Sequence, residues 1–197
     1  MHISTMSAVE QHPLLPFLPA SGRVLLLGSF PPPQARWSMS FFYPNFNNDM
    51  WRIVGLVLFG QRDYFVEQQQ RRFNQPLVEQ VCAQRGIALF DTATAVRRLR
   101  GNASDKFLEV VQPTDLSALL APMPLCRAVA ATGELAAITL AERYGCDVPK
   151  VGHDVPLTVD GRELQLFRMP STSRAYPLAL ERKADAYRIM FEQVGIL

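Results

Sequence analysis

Val24-Leu25-Leu26-Leu27-Gly28-Ser29-Phe30-Pro31-Pro32-Pro33 decides how the rest of the chain is read. Its branched aliphatic run has the length and character of a buried strand. Glycine at the end of the run lets the backbone turn sharply or approach a ligand closely, and the prolines forbid a helix. Ligands of open parallel α/β sheets bind beyond the carboxyl ends of the strands, so the loop that begins at Gly28 is expected to wall a pocket. The loop runs on into an aromatic, amide-rich segment, Trp37-Ser38-Met39-Ser40-Phe41-Phe42-Tyr43-Pro44-Asn45-Phe46-Asn47-Asn48-Asp49-Met50-Trp51.

On the amino-terminal side, residues 1–22 read as an arm that packs apolar side chains onto a single domain, 23–197. On the other side, Asn47 is the expected N-cap of a helix over Met50 to Phe59, apolar on nearly every side and therefore central, with Asp49 in its first turn and Gly60 at its end. The polar run Glu67 to Arg72 reads as a surface helix or loop. Asn74 and Pro76 open a second helix that Gly86 closes. Ile87-Ala88-Leu89-Phe90 is a second strand tipped by Asp91 and Thr92, and Thr114-Asp115 after Pro113 caps a short helix. Cys126 to Ala131 is a third strand, followed by a helix from Thr132-Gly133. Asp160-Gly161 marks a hairpin whose second arm is the last core strand. The closing helix carries Leu180, Ala184, Tyr187, Phe191 and Val194 on one stripe. Strands alternating with helices point to a mostly parallel sheet covered on both faces.

The 197 residues allow one sizeable core, and no apolar run approaches the roughly 20 residues of a membrane helix. No export signal is read at the amino terminus. The three cysteines, Cys82, Cys126 and Cys146, are odd in number and widely spaced, which fits a reducing cytoplasm rather than a disulfide framework or a cysteine-bound cluster. A net charge of +2 leaves any nucleic-acid binding to local patches. Two exist: Arg97, Arg98, Arg100 and Lys106, and then Arg168, Arg174, Arg182 and Lys183. Each reads equally as solvated surface charge. Walker, G-x-G-x-x-G, H-E-x-x-H, C-x-x-C and G-x-S-x-G motifs are all absent. His2 and His12 read as incidental arm residues and His153 as a surface-loop residue. What remains is a set of polar strand ends with aromatics: Ser29, Phe30, Asn45, Asn47, Asn48, Asp49, Asp91 and the hydroxyls of Ser171, Thr172 and Ser173.

Gly28-Ser29-Phe30-Pro31, the segment ending Asn48-Asp49-Met50-Trp51, Gly86 to Asp91, and Met169-Pro170-Ser171-Thr172-Ser173 follow the order and spacing of the uracil-DNA glycosylase superfamily. The chain most resembles its hypoxanthine-DNA glycosylase-like branch, from Leu25 to the final helix. The resemblance implies a three-layer α/β/α sandwich around a short, mostly parallel sheet. It also implies a metal-independent, monofunctional DNA glycosylase without cofactor or iron-sulfur cluster, acting as a monomer on a damaged base flipped out of DNA. Phe30 and Met169 stand where other members carry a water-activating acid or amide and a base-facing histidine. The branch resembled relies instead on a downstream asparagine, which maps onto Asn48.

The resemblance thus assigns Asn48, or else Asp49, to the water. Gly28, Ser29, Phe30, Phe42, Tyr43 and Asp91 form the base pocket, with backbone N–H groups at Ser29 and Phe30 on the departing base and Asp91 or a nearby Asn on its edge. Ser171, Thr172 and Ser173 clasp phosphates, and Arg174, Tyr176 or Leu178 fills the space the base vacates. Each residue also has a plain structural use. Asn48 and Asp49 cap a helix, Asp91 caps the segment after it, the aromatics pack, and the three hydroxyls make a turn.

Overall fold

A computed structural model describes residues 8–99 and 107–197. It opens with a short strand, β1 (Val9–Gln11), and reaches the aliphatic run as β2 (Val24–Gly28). The proline-rich loop leads into α1 (Met50–Phe59). A small hairpin, β3 (Val66–Glu67) and β4 (Arg72–Phe73), precedes α2 (Gln75–Arg85). Then come β5 (Ile87–Asp91), β6 (Ala93–Arg98), β7 (Leu108–Pro113) and α3 (Leu116–Leu120). The chain ends with β8 (Ala128–Ala131), α4 (Glu134–Tyr144), β9 (His153–Val159), β10 (Arg162–Arg168) and α5 (Leu180–Gln193).

The main sheet has the order β5-β2-β8-β10-β9, and all but the edge strand β9 run parallel. Every residue of β2, β5 and β8 is buried. Successive strand side chains point to opposite faces, so this burial requires cover on both, as the apolar runs imply. The register sets Gly28 beside Asp91 and Leu27 beside Ala131, which brings three strand ends together at the carboxyl edge. Pro156 sits on β9, the outer strand, where a missing N–H is tolerated.

Helix α1 is as buried as its composition implies, and it packs against α5. Its stop is Gly60 in the left-handed conformation. The start differs from the expectation for Asn47: the N-cap position is Asp49, whose side chain makes no capping bond, and the Asn48 Oδ1 accepts from Met50 N at 2.9 Å. The third strand begins at Ala128 rather than Cys126. The run Glu67 to Arg72 is neither helix nor open loop. It joins Val66 and Phe73 in a tight antiparallel pair, with Arg71 at φ 49°.

A second sheet, β1-β6-β7, is antiparallel and has no counterpart in the sequence reading. The arm therefore adds a strand. Farther along, Phe17 exchanges backbone bonds with Leu89 (3.0 and 2.9 Å) and so covers the outer edge of β5. Arg97 pairs with Glu109 and Arg98 with Glu10, both at 3.0 Å, so these two members of the first basic patch are neutralised within this sheet. Arg100, Lys106 and His2 lie outside the described residues. No helix among the described residues is long and apolar enough to cross a membrane.

Candidate functional site

A pocket of about 220 Å³ opens at the carboxyl edge of the main sheet. It is smaller than the ~300–1,000 Å³ of sites for drug-sized ligands and suits a small ligand. Three chain segments converge on it: Gly28 to Pro32 with Arg36, then Phe42 to Asn45 with Asn48, and Ser171 to Ser173; Asp91 and Thr132 complete the wall. The proline loop is stapled rather than loose. Trp37 Nε1 donates to Pro32 O (2.7 Å), and both Ser38 N and Ser38 Oγ donate to Pro44 O (2.8 and 2.7 Å).

Glycine at position 28 is demanded by close approach. A Cβ there would lie 2.5 Å from Asp91 Oδ1 and 3.5 Å from the Tyr43 hydroxyl. The other carboxylate oxygen, Asp91 Oδ2, is 2.8 Å from His12 Nε2, and both side chains are largely withdrawn from solvent. His12 Nδ1 reaches Leu14 O at 2.9 Å, while Phe30, Phe42 and Phe90 surround the ring at centroid distances of 5.2, 6.3 and 4.5 Å. The incidental reading of His12 is therefore corrected. The arm runs past the end of β5 and plants this imidazole against the pocket's carboxylate. Nothing local in the sequence signals a pair 79 residues apart.

Tyr43 adopts φ 50°, a left-handed backbone uncommon for a bulky residue. Its hydroxyl lies 2.7 Å from Thr132 Oγ1, and Thr132 Oγ1 donates to Leu27 O at 3.3 Å. Thr132, just past β8, is a wall residue the sequence reading did not select. Phe42 is buried, and its carbonyl accepts from Trp51 Nε1 at 3.0 Å, so the aromatic segment is anchored on α1.

Asn48 and Asp49, adjacent in sequence, fare differently. Asn48 lines the pocket, and its Oδ1 also holds the first turn of α1 through Met50 N. Asp49 faces away from the pocket. Its Oδ2 lies 2.9 Å from Lys183 Nζ and its Oδ1 3.6 Å from Arg174 Nε. Lys183 is fully buried and donates also to Ser173 O at 2.8 Å, and Asp49 N donates to Thr172 O at 2.9 Å. This network ties the Ser171 to Ser173 segment to the start of α1. A lysine between stripe positions Leu180 and Ala184 was the one sequence sign of it.

Ser171, Thr172 and Ser173 reach the pocket rim, with Ser171 Oγ accepting from Ser173 N (3.2 Å) and Ser173 Oγ from Ala175 N (3.3 Å). Arg174, Tyr176 and Leu178 are not on the pocket wall. Arg174 turns into a neighbouring cleft, Tyr176 lies against Lys183 Nζ (5.8 Å to the ring centre), and Leu178 is exposed. Met169 is buried, and its N donates to Ala131 O at 2.8 Å. Burial pushes the thiols of Cys82 and Cys126 up, which makes them poor nucleophiles. Among the described residues no three His, Cys, Asp or Glu side chains converge as they would around a metal ion.

No protein-family model matches the chain, and no curated protein matches it. Among solved structures it is similar to the solution NMR structure of a candidate uracil DNA glycosylase from Methanosarcina acetivorans. The TM-score is 0.62 at 19% identity, over 95% of this chain and 99% of that one. A likeness at that identity is one of fold. The chain is a mixed α/β protein with a mostly parallel five-stranded sheet and a uracil-DNA-glycosylase-like fold.

Proposed function

We propose that the protein is a monofunctional DNA glycosylase that hydrolyses the N-glycosidic bond of a deaminated or otherwise damaged base, such as uracil or hypoxanthine, after flipping it out of DNA. The observation that carries this reading is the Asp91 carboxylate, held by His12 at the wall of a small pocket that Asn48 also lines. Flipping is required because the reacting bond is inaccessible in the stack, and it costs least for a mismatched or damaged base.

With Oδ2 bound to His12, Asp91 presents Oδ1 to the base. A carboxylate accepts only, so it favours a ring N–H. Deamination creates such an N–H: N3 of cytosine and N1 of adenine are acceptors, whereas the corresponding nitrogens of uracil and hypoxanthine are donors. Asp91 thereby selects deaminated bases over their parents. Phe42 and Tyr43 offer faces to the ring, and backbone N–H groups at Ser29 and Phe30 receive the charge that develops on the departing base.

Bond cleavage leaves an oxocarbenium-like sugar that needs an aimed water more than a strong base. One lone pair of Asn48 Oδ1 is used by Met50 N, and the second accepts a hydrogen bond from that water, directing its oxygen toward the sugar carbon; the proton the water loses as the C–O bond forms goes, through solvent, to the departed base anion. Asp49, held between Lys183 and Arg174, keeps the 171 to 173 segment in place instead. No step asks for a metal or cofactor, and a monomer suffices.

A second reading, a DNA-binding or small-molecule-binding protein of this fold without catalysis, draws on the apolar side chains of Phe30 and Met169. Labelled duplexes carrying uracil, hypoxanthine, xanthine or an alkylated base, treated with the protein and then alkali, separate the two. Strand cleavage at one lesion supports the glycosylase. Intact strands across the panel, with folded protein, support the second reading.

A further inference from the structure

Beside the base pocket lies a cleft of about 520 Å³ that the mechanism leaves unused, lined by Arg52, Arg62, Arg71 and Arg174 with Asp63 as its one carboxylate. A shallow groove joins the two. That groove shares Arg36 and Asn45 with the base pocket, and Phe46 and Asn47 with the cleft. The Asn45 to Asn47 turn therefore lies between the pocket and the cleft and contributes to the walls of both. Arg174, directly after the pocket-lining Ser173, closes on the cleft from the other side.

The cleft is built around Arg52, which is buried. Its guanidinium stacks on Phe46 and Phe73 (4.8 and 5.3 Å to the ring centres) and donates to Phe46 O and Asn48 O (2.7 and 3.2 Å). The same residue that lines the cleft thus fixes the backbone of the turn that lines the base pocket. Around it the other three arginines are exposed. Asp63 sits 3.8 Å from both Arg52 and Arg62, too far for tight pairing, and Arg71 has no side-chain partner among the described residues. Burial and then the charge of Arg174 lower the Arg52 pKa below its ordinary value, against the opposing pull of Asp63 and Asp49. Arg71 takes φ 49° in the turn joining β3 to β4, a position where glycine or asparagine would sit without strain.

We infer that this arginine-lined cleft binds backbone phosphates of the DNA strand that carries the flipped nucleotide, on one side of that nucleotide. The inference rests on the glycosylase reading for its ligand and goes beyond it in naming where the flanking strand lies. Guanidinium groups fit phosphodiesters as forks as well as charges, and Gln68 and Gln69 add neutral donors along the same wall. The base pocket alone would bind a free base; the cleft makes the ligand a polynucleotide.

The test uses the exposed pair, Arg62→Gln with Arg71→Gln, neither of which touches the base pocket. A charge-matched control, Arg127→Gln with Arg143→Gln, removes two exposed arginines where β8 starts and α4 ends, at the far edge of the sheet. The probe is a fluorescein-labelled duplex with one tetrahydrofuran abasic site, titrated at several salt concentrations. Each lost phosphate contact should flatten the plot of log affinity against log salt by about 0.9, so the cleft variant should lose about 1.8 in slope and bind about tenfold more weakly at moderate salt. The control should match the wild type, and single-turnover base release by the cleft variant at saturating protein should be unchanged.

Equal slopes for the cleft variant and the wild type would overturn the inference while leaving the base-pocket reading intact. Equal losses in the cleft variant and the control would also overturn it, since net charge alone would then explain both. A flattened slope in a protein that releases no base would uphold the cleft and remove the glycosylase reading. Absence of duplex binding by the wild type would remove both.

Discussion

His12 Nε2 lies 2.8 Å from Asp91 Oδ2, so a residue of the amino-terminal arm holds the carboxylate that faces the pocket. The bond leaves Asp91 Oδ1 against Gly28, at the point where β2 and β5 end side by side. The arm is thereby a component of the site as well as a cover for the sheet edge.

Replacing His12 with alanine frees Asp91 to rotate and leaves a buried acceptor unpaired. Urea unfolding should show a loss of about 1–3 kcal/mol. Base release should fall mainly through a raised KM, by about tenfold, because recognition of the base edge loosens while the water is untouched. His12→Gln, which retains an amide N–H able to reach Asp91, should recover part of the KM. Equal activity in all three proteins would show that the pair is structural only.

Asn48 both caps α1 and lines the pocket, and substitution can separate the two. Asn48→Ser keeps a capping oxygen but withdraws it from the pocket, whereas Asn48→Ala removes both. Only the alanine variant should lose about 1 kcal/mol of stability. Both should lose base release by about 100-fold or more under single-turnover conditions, with duplex affinity retained. An active serine variant would confine Asn48 to capping.

Lys183 and Asp49 form a buried pair, with Lys183 fully enclosed. Lys183→Met strands the carboxylate and should destabilise the protein by about 3–5 kcal/mol in urea. Adding Asp49→Asn should restore part of that loss, giving a coupling energy in a double-mutant cycle. The double variant should still release base, since neither side chain is assigned to the reaction. Its inactivity with normal stability would return Asp49 to the chemistry.

Gly28→Ala places a methyl 2.5 Å from Asp91 Oδ1. The carboxylate must move, and base release should fall about tenfold or more through KM, with a stability cost of about 1–3 kcal/mol. An unperturbed KM would mean that Asp91 does not meet the base.

The main sheet was legible because β2 and β5 are unbroken apolar runs, bounded by glycine or a polar tip, in a chain whose helices announce themselves with Asn74, Asp115, Gly60 and Gly86. The second sheet was not. Only Thr92 separates β5 from β6, with no glycine or proline to mark the break, and β1 is three residues long. Within the site, Gly28 and Asp91 end the two readable strands β2 and β5, and Phe42, Tyr43 and Asn48 belong to the one loop that joins β2 to α1, so their convergence follows from local sequence. His12 with Asp91 and Asp49 with Lys183 depend on tertiary closure across 79 and 134 residues, which no local pattern encodes. The arginine cleft was hidden for the same reason, since its members come from α1, the following turn, the small hairpin and the segment after Ser173.

The most direct measurement is chromatographic detection of free base released in a single turnover from duplexes carrying uracil, hypoxanthine or xanthine, with cytosine and adenine duplexes alongside. The predicted result is release of at least one deaminated base, none from the parent duplexes, and loss of that product with Asn48→Ser. No free base from any duplex, with the protein folded and bound to DNA, would contradict the assignment of this pocket to glycosidic hydrolysis.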